Sequence, residues 1–181
     1  MKESGIVRKL DNLGRLVIPK EIRRVLRIKE GSPIEFGLLP TGEIVLNKYS
    51  LVGQVSDYAE DFSKILGEIF DCIVLVGDRD KVIASYGISK KLALNAKLSE
   101  EVLDILDSKS CFKACRKDNT TIVPILEDDG NTYYSEMIFP IIIQGDVEGV
   151  LILLDTSERC FGNEHITTLR LVAKFISMQM E

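Results

Sequence analysis

Short alternations of apolar and polar positions dominate the first 50 residues of the chain. Such alternation predicts half-buried strands, whereas apolar positions spaced three or four residues apart predict helices. Glycine, proline, asparagine and aspartate interrupt the runs where turns are expected. The segment is therefore predicted to form strand 5–10, turn 11–14, strand 15–18, helix 20–27, turn 29–33, strand 34–39, turn 40–43 and strand 44–49.

This N-terminal segment is small and contains few large side chains. A unit of about 50 residues buries too little apolar surface to be comfortably stable alone. We therefore expect it to interlock with a second copy, and the sequence predicts a dimer.

The pattern changes to longer periodic segments after residue 55. Helical spacing of apolar residues predicts helices 56–70, 98–108 and 163–180, with Ser56 and Ser99 as N-caps. A strand, a turn at Arg79–Asp80 and a second strand are predicted within 72–87. Further strands are predicted at 120–126, 133–143 and 149–156. The predicted domains are 1–50, a linker at 51–55, and an α+β domain with a mainly antiparallel sheet at 56–181.

The apolar run at 137–154 is interrupted by proline, glycine and acidic residues. It therefore predicts two buried strands and a turn, because a membrane-spanning helix needs roughly 20 mainly apolar residues. The N-terminal segment lacks the apolar core of a signal peptide. We accordingly expect a cytoplasmic protein whose four cysteines are thiols rather than a disulfide framework.

Charge divides the chain into two parts of opposite sign. Residues 1–50 carry ten Lys and Arg against six Asp and Glu, a net charge of +4. Residues 51–181 carry thirteen against twenty-two, a net charge of −9. This asymmetry indicates a basic segment that binds an anion and an acidic domain with another role.

The predicted helix 20–27 separates apolar from basic side chains. Its apolar side holds Ile22, Val25 and Leu26, and the opposite side holds Lys20, Arg23, Arg24 and Arg27. Like charges at this spacing are unfavourable unless a bound anion relieves them, although a solvated basic face is an alternative interpretation. Arg8, Lys9 and Arg15 flank the preceding turn and extend the basic region. Phosphate is the expected partner, since the arginine fork suits phosphate oxygens and guanine edges.

The stretch "SGIVRKLDNLGRLVIPKEIRRVLRIKEGSPIEF", followed by "GEIVLNKY", resembles the AbrB-type swapped-hairpin DNA-binding domain. The resemblance covers about residues 3–50 and is carried by "GRLVIPKEIRR". It implies that two units exchange hairpins into one interlaced barrel. It also implies that Arg8, Lys9, Arg15, Arg23 and Arg24 contact double-stranded DNA that is A·T-rich or deformable. The whole chain resembles AbrB-family regulators of sporulation genes, which implies a nucleoid-associated protein.

The order of elements after residue 55 resembles a GAF domain, a fold that senses small molecules. This resemblance leaves two alternatives open: a domain that binds a small molecule, or a ligand-free multimerisation module. The first and last helices either pair with their copies, which would couple two dimers into a tetramer, or cover their own sheet.

The sequence offers little support for metal binding or catalysis. Zinc could be held by Cys111 and Cys115, placed on one predicted helix face, with Cys160 and His165. The spacing lacks a tight Cys-x-x-Cys knuckle, and a Cys–His nucleophile would need a third, orienting group. No phosphate loop or catalytic motif is found. The sequence thus predicts no enzyme, no cofactor and no metal. An antitoxin is a competing interpretation of the N-terminal segment.

Overall fold

A computed structural model describes residues 6–28, 30–49, 56–128, 130 and 132–179. The chain divides into two compact units, Met1–Tyr49 and Ser50–Glu181. The predicted linker 51–55 lies outside the described residues, so its bounds stay a prediction.

The N-terminal unit contains one short helix and one β-hairpin. Helix α1 spans Lys20–Val25, and strands β1 (Ile34–Leu38) and β2 (Ile44–Lys48) pair in antiparallel orientation. The hairpin turn closes where Leu39 N–H donates to the Glu43 carbonyl (2.9 Å). Gly42 in this turn has φ +85°, a conformation that glycine adopts without steric cost. These three elements were predicted, although α1 is shorter than expected.

Helix α1 ends two residues before its predicted end because the backbone turns left-handed at Arg27 (φ 51°). Ile28 N–H then donates to the Arg23 carbonyl (2.7 Å), which closes the helix. Ile22 is half-buried, whereas Val25 is 78% exposed and Leu26 48% exposed. The predicted apolar face therefore exists, but one chain does not cover it.

The predicted strands 5–10 and 15–18 are not strands in this structure. Residues 6–10 and 15–18 flank a turn, which is closed where Gly14 N–H donates to the Asp11 carbonyl (3.0 Å). A strand requires a hydrogen-bonded neighbour. Among the residues described for a single chain, no strand pairs with either segment.

The C-terminal unit is built on a five-stranded antiparallel sheet with the strand order β4-β3-β7-β6-β5. Its strands are β3 (Ile73–Asp78), β4 (Val82–Tyr86), β5 (Phe112–Cys115), β6 (Ser135–Ile143) and β7 (Asp146–Asp155). Its helices are α2 (Ser56–Phe70), α3 (Lys90–Ala93), α4 (Glu100–Asp107) and α5 (Asn163–Met178), with a 3₁₀ turn at Arg116–Asp118. This architecture confirms the predicted α+β class and antiparallel sheet.

Two details of the predicted sheet are wrong. Residues 120–126 are not a strand, because their polar groups are used otherwise: Val123 N–H donates to Glu136 Oε1 (2.8 Å), and the Pro124 carbonyl accepts from Ser99 Oγ (2.6 Å). The edge strand is instead β5, in the stretch that was expected to be helical around Cys111 and Cys115.

The two faces of the sheet bury separate apolar clusters. Successive residues of a strand point to opposite faces. In β7, Leu151 and Leu153 join the cluster beneath α2 and α5, whereas Ile152 and Leu154 join the cluster beneath α4. All four side chains are fully buried. Most of the chain's core therefore lies in the C-terminal unit.

Candidate nucleic-acid interface

The five residues predicted to contact DNA are all exposed. Arg8 and Lys9 lie before the 11–15 turn, Arg15 ends that turn, and Arg23 and Arg24 lie in α1. The N-terminal unit thus presents its cations on two segments, a turn and a six-residue helix.

The turn holds Arg15 through a residue that the sequence analysis did not single out. The Asp11 carboxylate accepts from Leu13 N–H (2.9 Å), Arg15 N–H (2.8 Å) and Arg15 Nε (2.7 Å). These hydrogen bonds, led by the one from the Arg15 backbone, lower the pKa of Asp11 below its ordinary value. The sequence does contain a signal for these hydrogen bonds, because the turn begins with an aspartate and ends in "LGR".

Helix α1 begins directly after Pro19, which suits a helix start because its missing N–H would have no partner there. The Pro19 carbonyl accepts from Arg23 N–H (2.9 Å). Lys20, Arg23 and Arg24 are exposed, whereas Arg27 is half-buried beyond the helix end. The basic face therefore consists of Lys20, Arg23 and Arg24, and Arg27 does not extend it as expected.

The same unit exposes most of its apolar side chains. Pro19 is the one buried residue among 6–28 and 30–49. The most exposed apolar side chains are Val7, Val17, Val25, Phe36 and Leu38, each at least 73% exposed. A folded unit rarely leaves so many large apolar side chains exposed to water unless a partner covers them.

The cysteines differ from the prediction. Cys115 and Cys160 form a disulfide with a Cα–Cα distance of 5.6 Å, while Cys72 and Cys111 are free. The expectation of four thiols is therefore wrong, because the fold brings together two residues that are 45 positions apart. Burial raises the pKa of the Cys111 thiol, and burial together with the Asp155 charge raises the pKa of Cys72 to about 12.

A cavity of about 370 Å³ lies beside this disulfide, at the end of β7 and the start of α5. It is lined by Phe70, Asp155, Arg159, Cys160, Phe161 and His165. Arg159 Nη2 pairs with the buried Asp155 carboxylate (2.7 Å), and His165 Nδ1 accepts from Gly162 N–H (3.0 Å).

The considered zinc set is not assembled in the described residues. Cys111 lies outside the group, and the ligand atoms of Cys115, Cys160 and the exposed Asp118 lie within 4.8 Å of one another. His165 shares the cavity with Cys160. The two sulfurs bond to each other, so in this form they are not free to bind a metal.

No helix in the described parts of the chain is both long and apolar enough to cross a membrane.

Family comparisons agree with the two units. Residues 54–181 match the family model described as "Stage V sporulation protein T C-terminal, transcription factor". Residues 7–52 match the model described as "Antidote-toxin recognition MazE, bacterial antitoxin". The antitoxin match is confined to the N-terminal unit, while the larger unit matches a transcription factor.

Individual relatives give the same division. Stage V sporulation protein T of Bacillus subtilis (strain 168) is 37% identical over 181 residues, which are 100% of this chain and 99% of that protein. The transition state regulatory protein AbrB of the same organism is 46% identical over 63 residues, covering 32% of this chain and 65% of AbrB. The GAF domain of an Acinetobacter phosphoenolpyruvate-protein phosphotransferase matches with a TM-score of 0.59 at 13% identity, covering 72% of this chain and 82% of that chain. The last likeness shows the fold alone.

Together, the fold and these matches define a two-domain transcription factor with an AbrB-type DNA-binding domain followed by a GAF-like domain. The chain belongs to the stage V sporulation protein T family. Both the predicted AbrB resemblance and the prediction that the chain is not an enzyme are thereby confirmed.

Proposed function

We propose that two N-terminal units exchange their hairpins into one interlaced dimer, which binds A·T-rich or deformable DNA through Arg8, Lys9, Arg15, Arg23 and Arg24. The observation that carries this proposal is that the unit exposes its basic and its apolar side chains alike. The basic side chains suit the phosphate backbone, and the apolar ones suit a second copy of the same unit.

The two segments that flank the 11–15 turn support an interlaced dimer. Residues 6–10 and 15–18 have the alternation of strands, yet the described residues of one chain offer them no pairing strand. A second copy can supply the missing neighbours and cover Val7 and Val17 at the same time. Exchange of identical elements between two chains is a low-cost route to a dimer.

The exposure and the charge of the five cations support DNA binding. The five cations are free of cover by the rest of their unit, and Arg15 is held in place by Asp11. Pairing two units doubles the number of cations that one surface presents. Contacts between cationic side chains and phosphates give affinity, whereas DNA shape and deformability give preference among sequences.

The C-terminal helices support a further coupling of dimers. Helix α5 packs on its own sheet through Leu169, Val172 and Ile176, as one of the two predicted alternatives requires. Its outer side nevertheless exposes Leu171 (71%) and Met178 (61%). Helix α2 exposes Ile65 and Ile69 in the same way. We infer that these outer sides pair between subunits and produce a tetramer of two DNA-binding dimers.

A ligand-free role for the GAF-like domain is the second candidate. The sheet face beneath α4 is filled by apolar side chains, among them Ile125, Ile138 and Ile152, all 0% exposed. A sensor would need an internal cavity with converging polar groups. The filled face favours the multimerisation module over a domain that senses a small molecule between α4 and the sheet.

Fluorescence anisotropy on A·T-rich and G·C-rich duplexes tests the proposal. If a dimer neutralises roughly six to ten phosphates, affinity should fall about 10³- to 10⁵-fold between 50 and 200 mM salt. Arg23→Ala and Arg24→Ala should each weaken binding to both duplexes and reduce the salt slope by about one for each phosphate that is no longer neutralised. Lys91→Ala, an exposed cation of the C-terminal unit, is the matched control.

Unchanged affinity in both arginine variants, with circular dichroism showing an intact fold, would contradict the assigned surface. An equal decrease in affinity for Lys91→Ala would contradict it as well, because binding would then follow total charge rather than α1.

A further inference from the structure

The Cys115–Cys160 disulfide joins the edge strand β5 to the loop 156–162, which leads into α5. Hydrogen bonds hold both cysteines in position independently of the S–S bond. Cys115 N–H donates to Thr120 Oγ1 (2.6 Å), whose hydroxyl donates in turn to the Cys115 carbonyl (2.9 Å). On the other side, Ser135 Oγ donates to the Arg159 carbonyl, directly before Cys160 (2.7 Å). Two reduced thiols at these positions would therefore remain adjacent.

Access to the two sulfurs is unequal. Cys115 is buried, with 1% of its surface exposed, whereas Cys160 is half-buried and lines the cavity described above. Arg159, which is paired with the Asp155 carboxylate (2.7 Å), and His165 line the same cavity. A small thiolate thus reaches Cys160 before it can reach Cys115.

The other two cysteines lack this combination. Cys72 is free, and the pKa of about 12 keeps its thiol neutral at physiological pH. Cys111 is free as well, with its pKa raised by burial. Because the thiolate is the reactive form, both are expected to be slow in exchange reactions.

We propose that Cys115–Cys160 is a reversible thiol–disulfide exchange site whose co-reactant is a low-molecular-weight thiol and its disulfide. A transcription factor acts where the DNA is, and disulfides inside cells are usually transient and redox-sensing rather than structural. A structurally prearranged pair with one accessible sulfur fits that use.

Reduction proceeds in two exchange steps. The small thiolate attacks Cys160 Sγ and forms a mixed disulfide, while the bond to Cys115 breaks and Cys115 leaves as a thiolate, which takes up a proton. A second small thiolate attacks the small-molecule sulfur of the mixed disulfide and releases the small disulfide, and Cys160 takes up a proton. Two electrons pass from two small thiols to the protein. Oxidation is the reverse reaction with the small disulfide as oxidant.

Reduction removes one of several restraints on the loop before α5. The loop also depends on Arg159, which pairs with Asp155 and lies 3.6 Å from the Asp71 carboxylate after α2. We therefore expect loop 156–162 to exchange its amide hydrogens faster in the reduced protein.

The test equilibrates the full-length protein in buffers of reduced and oxidised glutathione, with acid quenching and maleimide labelling after denaturation. Two thiols should label at the oxidising end and all four at the reducing end, in one two-electron transition. Peptide mapping should assign the change to Cys115 and Cys160. Cys72→Ser and Cys111→Ser are the matched controls and should leave the transition unchanged.

Single variants of the pair test the direction of attack. With oxidised glutathione, Cys115→Ser should accumulate a mixed disulfide at Cys160, whereas Cys160→Ser should leave the buried Cys115 largely unmodified. Circular dichroism checks the fold of each variant, and Cys115→Ala replaces any Cys115→Ser protein that unfolds.

Three results would overturn the proposal. The first is a pair that stays fully reduced or fully bridged across all buffers. The second is equal glutathione modification of Cys115 and Cys160 in the two variants. The third is one tightly bound zinc per reduced chain that blocks exchange, which would make Cys115, Asp118 and Cys160 a metal site instead.

Discussion

Asp11 determines how Arg15 is presented. Its carboxylate accepts three hydrogen bonds in the 11–15 turn, two from backbone N–H groups and one from the Arg15 side chain. An acceptor-only group that is this well satisfied prefers to be ionised, which explains its lowered pKa. An acidic residue within the proposed DNA-binding surface therefore has a positioning role, even though its own charge opposes phosphate.

The first prediction concerns the pH dependence of this turn. Because the folded pKa of Asp11 is depressed, its contribution to stability is present above the ordinary value of 3.8 and lost as pH falls through the lower folded value. The NMR signal of Arg15 Nε–H should therefore stay unchanged from about pH 7 to below 3.8. In Asp11→Ala, this signal should lack the chemical shift of the hydrogen-bonded Arg15 Nε–H at every pH. A change of the Arg15 Nε–H signal in the native protein above pH 3.8 would contradict these hydrogen bonds to Asp11.

The second prediction concerns Cys72, whose pKa is raised from 9.0 to about 12 mainly by burial. Because the pKa of Cys72 is higher in the folded than in the unfolded protein, its protonated thiol contributes its full stabilisation below pH 9. This stabilisation is lost as pH rises towards 12. The free energy of unfolding should fall over that window in denaturant titrations, and it should fall less in Cys72→Ser. Cys111→Ser should reduce this alkaline slope as well, because burial also raises the pKa of the Cys111 thiol. Identical alkaline slopes in native protein and Cys72→Ser would be inconsistent with the raised pKa.

At the scale of elements, the sequence predicts best where periodicity is long. Helices α2, α4 and α5 and four of the five sheet strands (β3, β4, β6 and β7) were predicted from pattern alone. The Ser99 cap is confirmed by its hydrogen bond from Val102 N–H (3.1 Å). Strand β5 was missed because four residues carry too little periodicity. The strand predicted at 120–126 fails because a proline and a buried Glu136 side chain redirect its hydrogen bonds.

For the candidate site, the sequence predicts which cations are exposed but not which contacts position them. The exposed cations of the N-terminal unit could be predicted, since a basic helix face is visible in the sequence. The clamp by Asp11 and the disulfide could not, because one depends on the geometry of a turn and the other joins residues 45 positions apart. Segments 6–10 and 15–18 have strand-like sequences but need a neighbour that the described residues of one chain do not provide.

The third prediction concerns the packing of α2 on β4. A Cβ atom at Gly67 would lie 1.9 Å from the Tyr86 ring, so the helix can approach the strand this closely only with glycine. Gly67→Ala gains roughly 1 kcal/mol of helix propensity but overpacks the interface between helix and strand, at a cost of about 1–3 kcal/mol. We expect a net loss of about 1 kcal/mol in chemical denaturation.

Glu68→Ala, at the neighbouring exposed position, is the control and should change stability by less than about 0.5 kcal/mol. In a Tyr86→Ala background, Gly67→Ala should cost less than in the native protein, because the ring that the new methyl group meets is gone. A Gly67→Ala protein more stable than the native one would show that the packing is looser than described.

At the scale of the whole molecule, charge and apolar surface are divided between the two units. The N-terminal unit has a net charge of +4 over residues 1–50, and its described residues contribute little to a buried core. The acidic C-terminal unit is well packed on its own. Linking several DNA-binding units in one oligomer raises the effective concentration at a second DNA segment. In the proposed tetramer, the C-terminal unit would strengthen DNA binding by linking two DNA-binding dimers.

Native mass spectrometry of the full-length protein tests the proposed assembly most directly. We predict a species of four 20.3 kDa chains, and a species of two chains for Leu171→Glu, which places a charge on the exposed side of α5. Arg170→Ala, a change at the neighbouring exposed position, should retain the four-chain species. A 20.3 kDa monomer that still binds DNA would contradict the proposed interlaced dimer, because a single N-terminal unit would then be folded and functional with its apolar side chains in water.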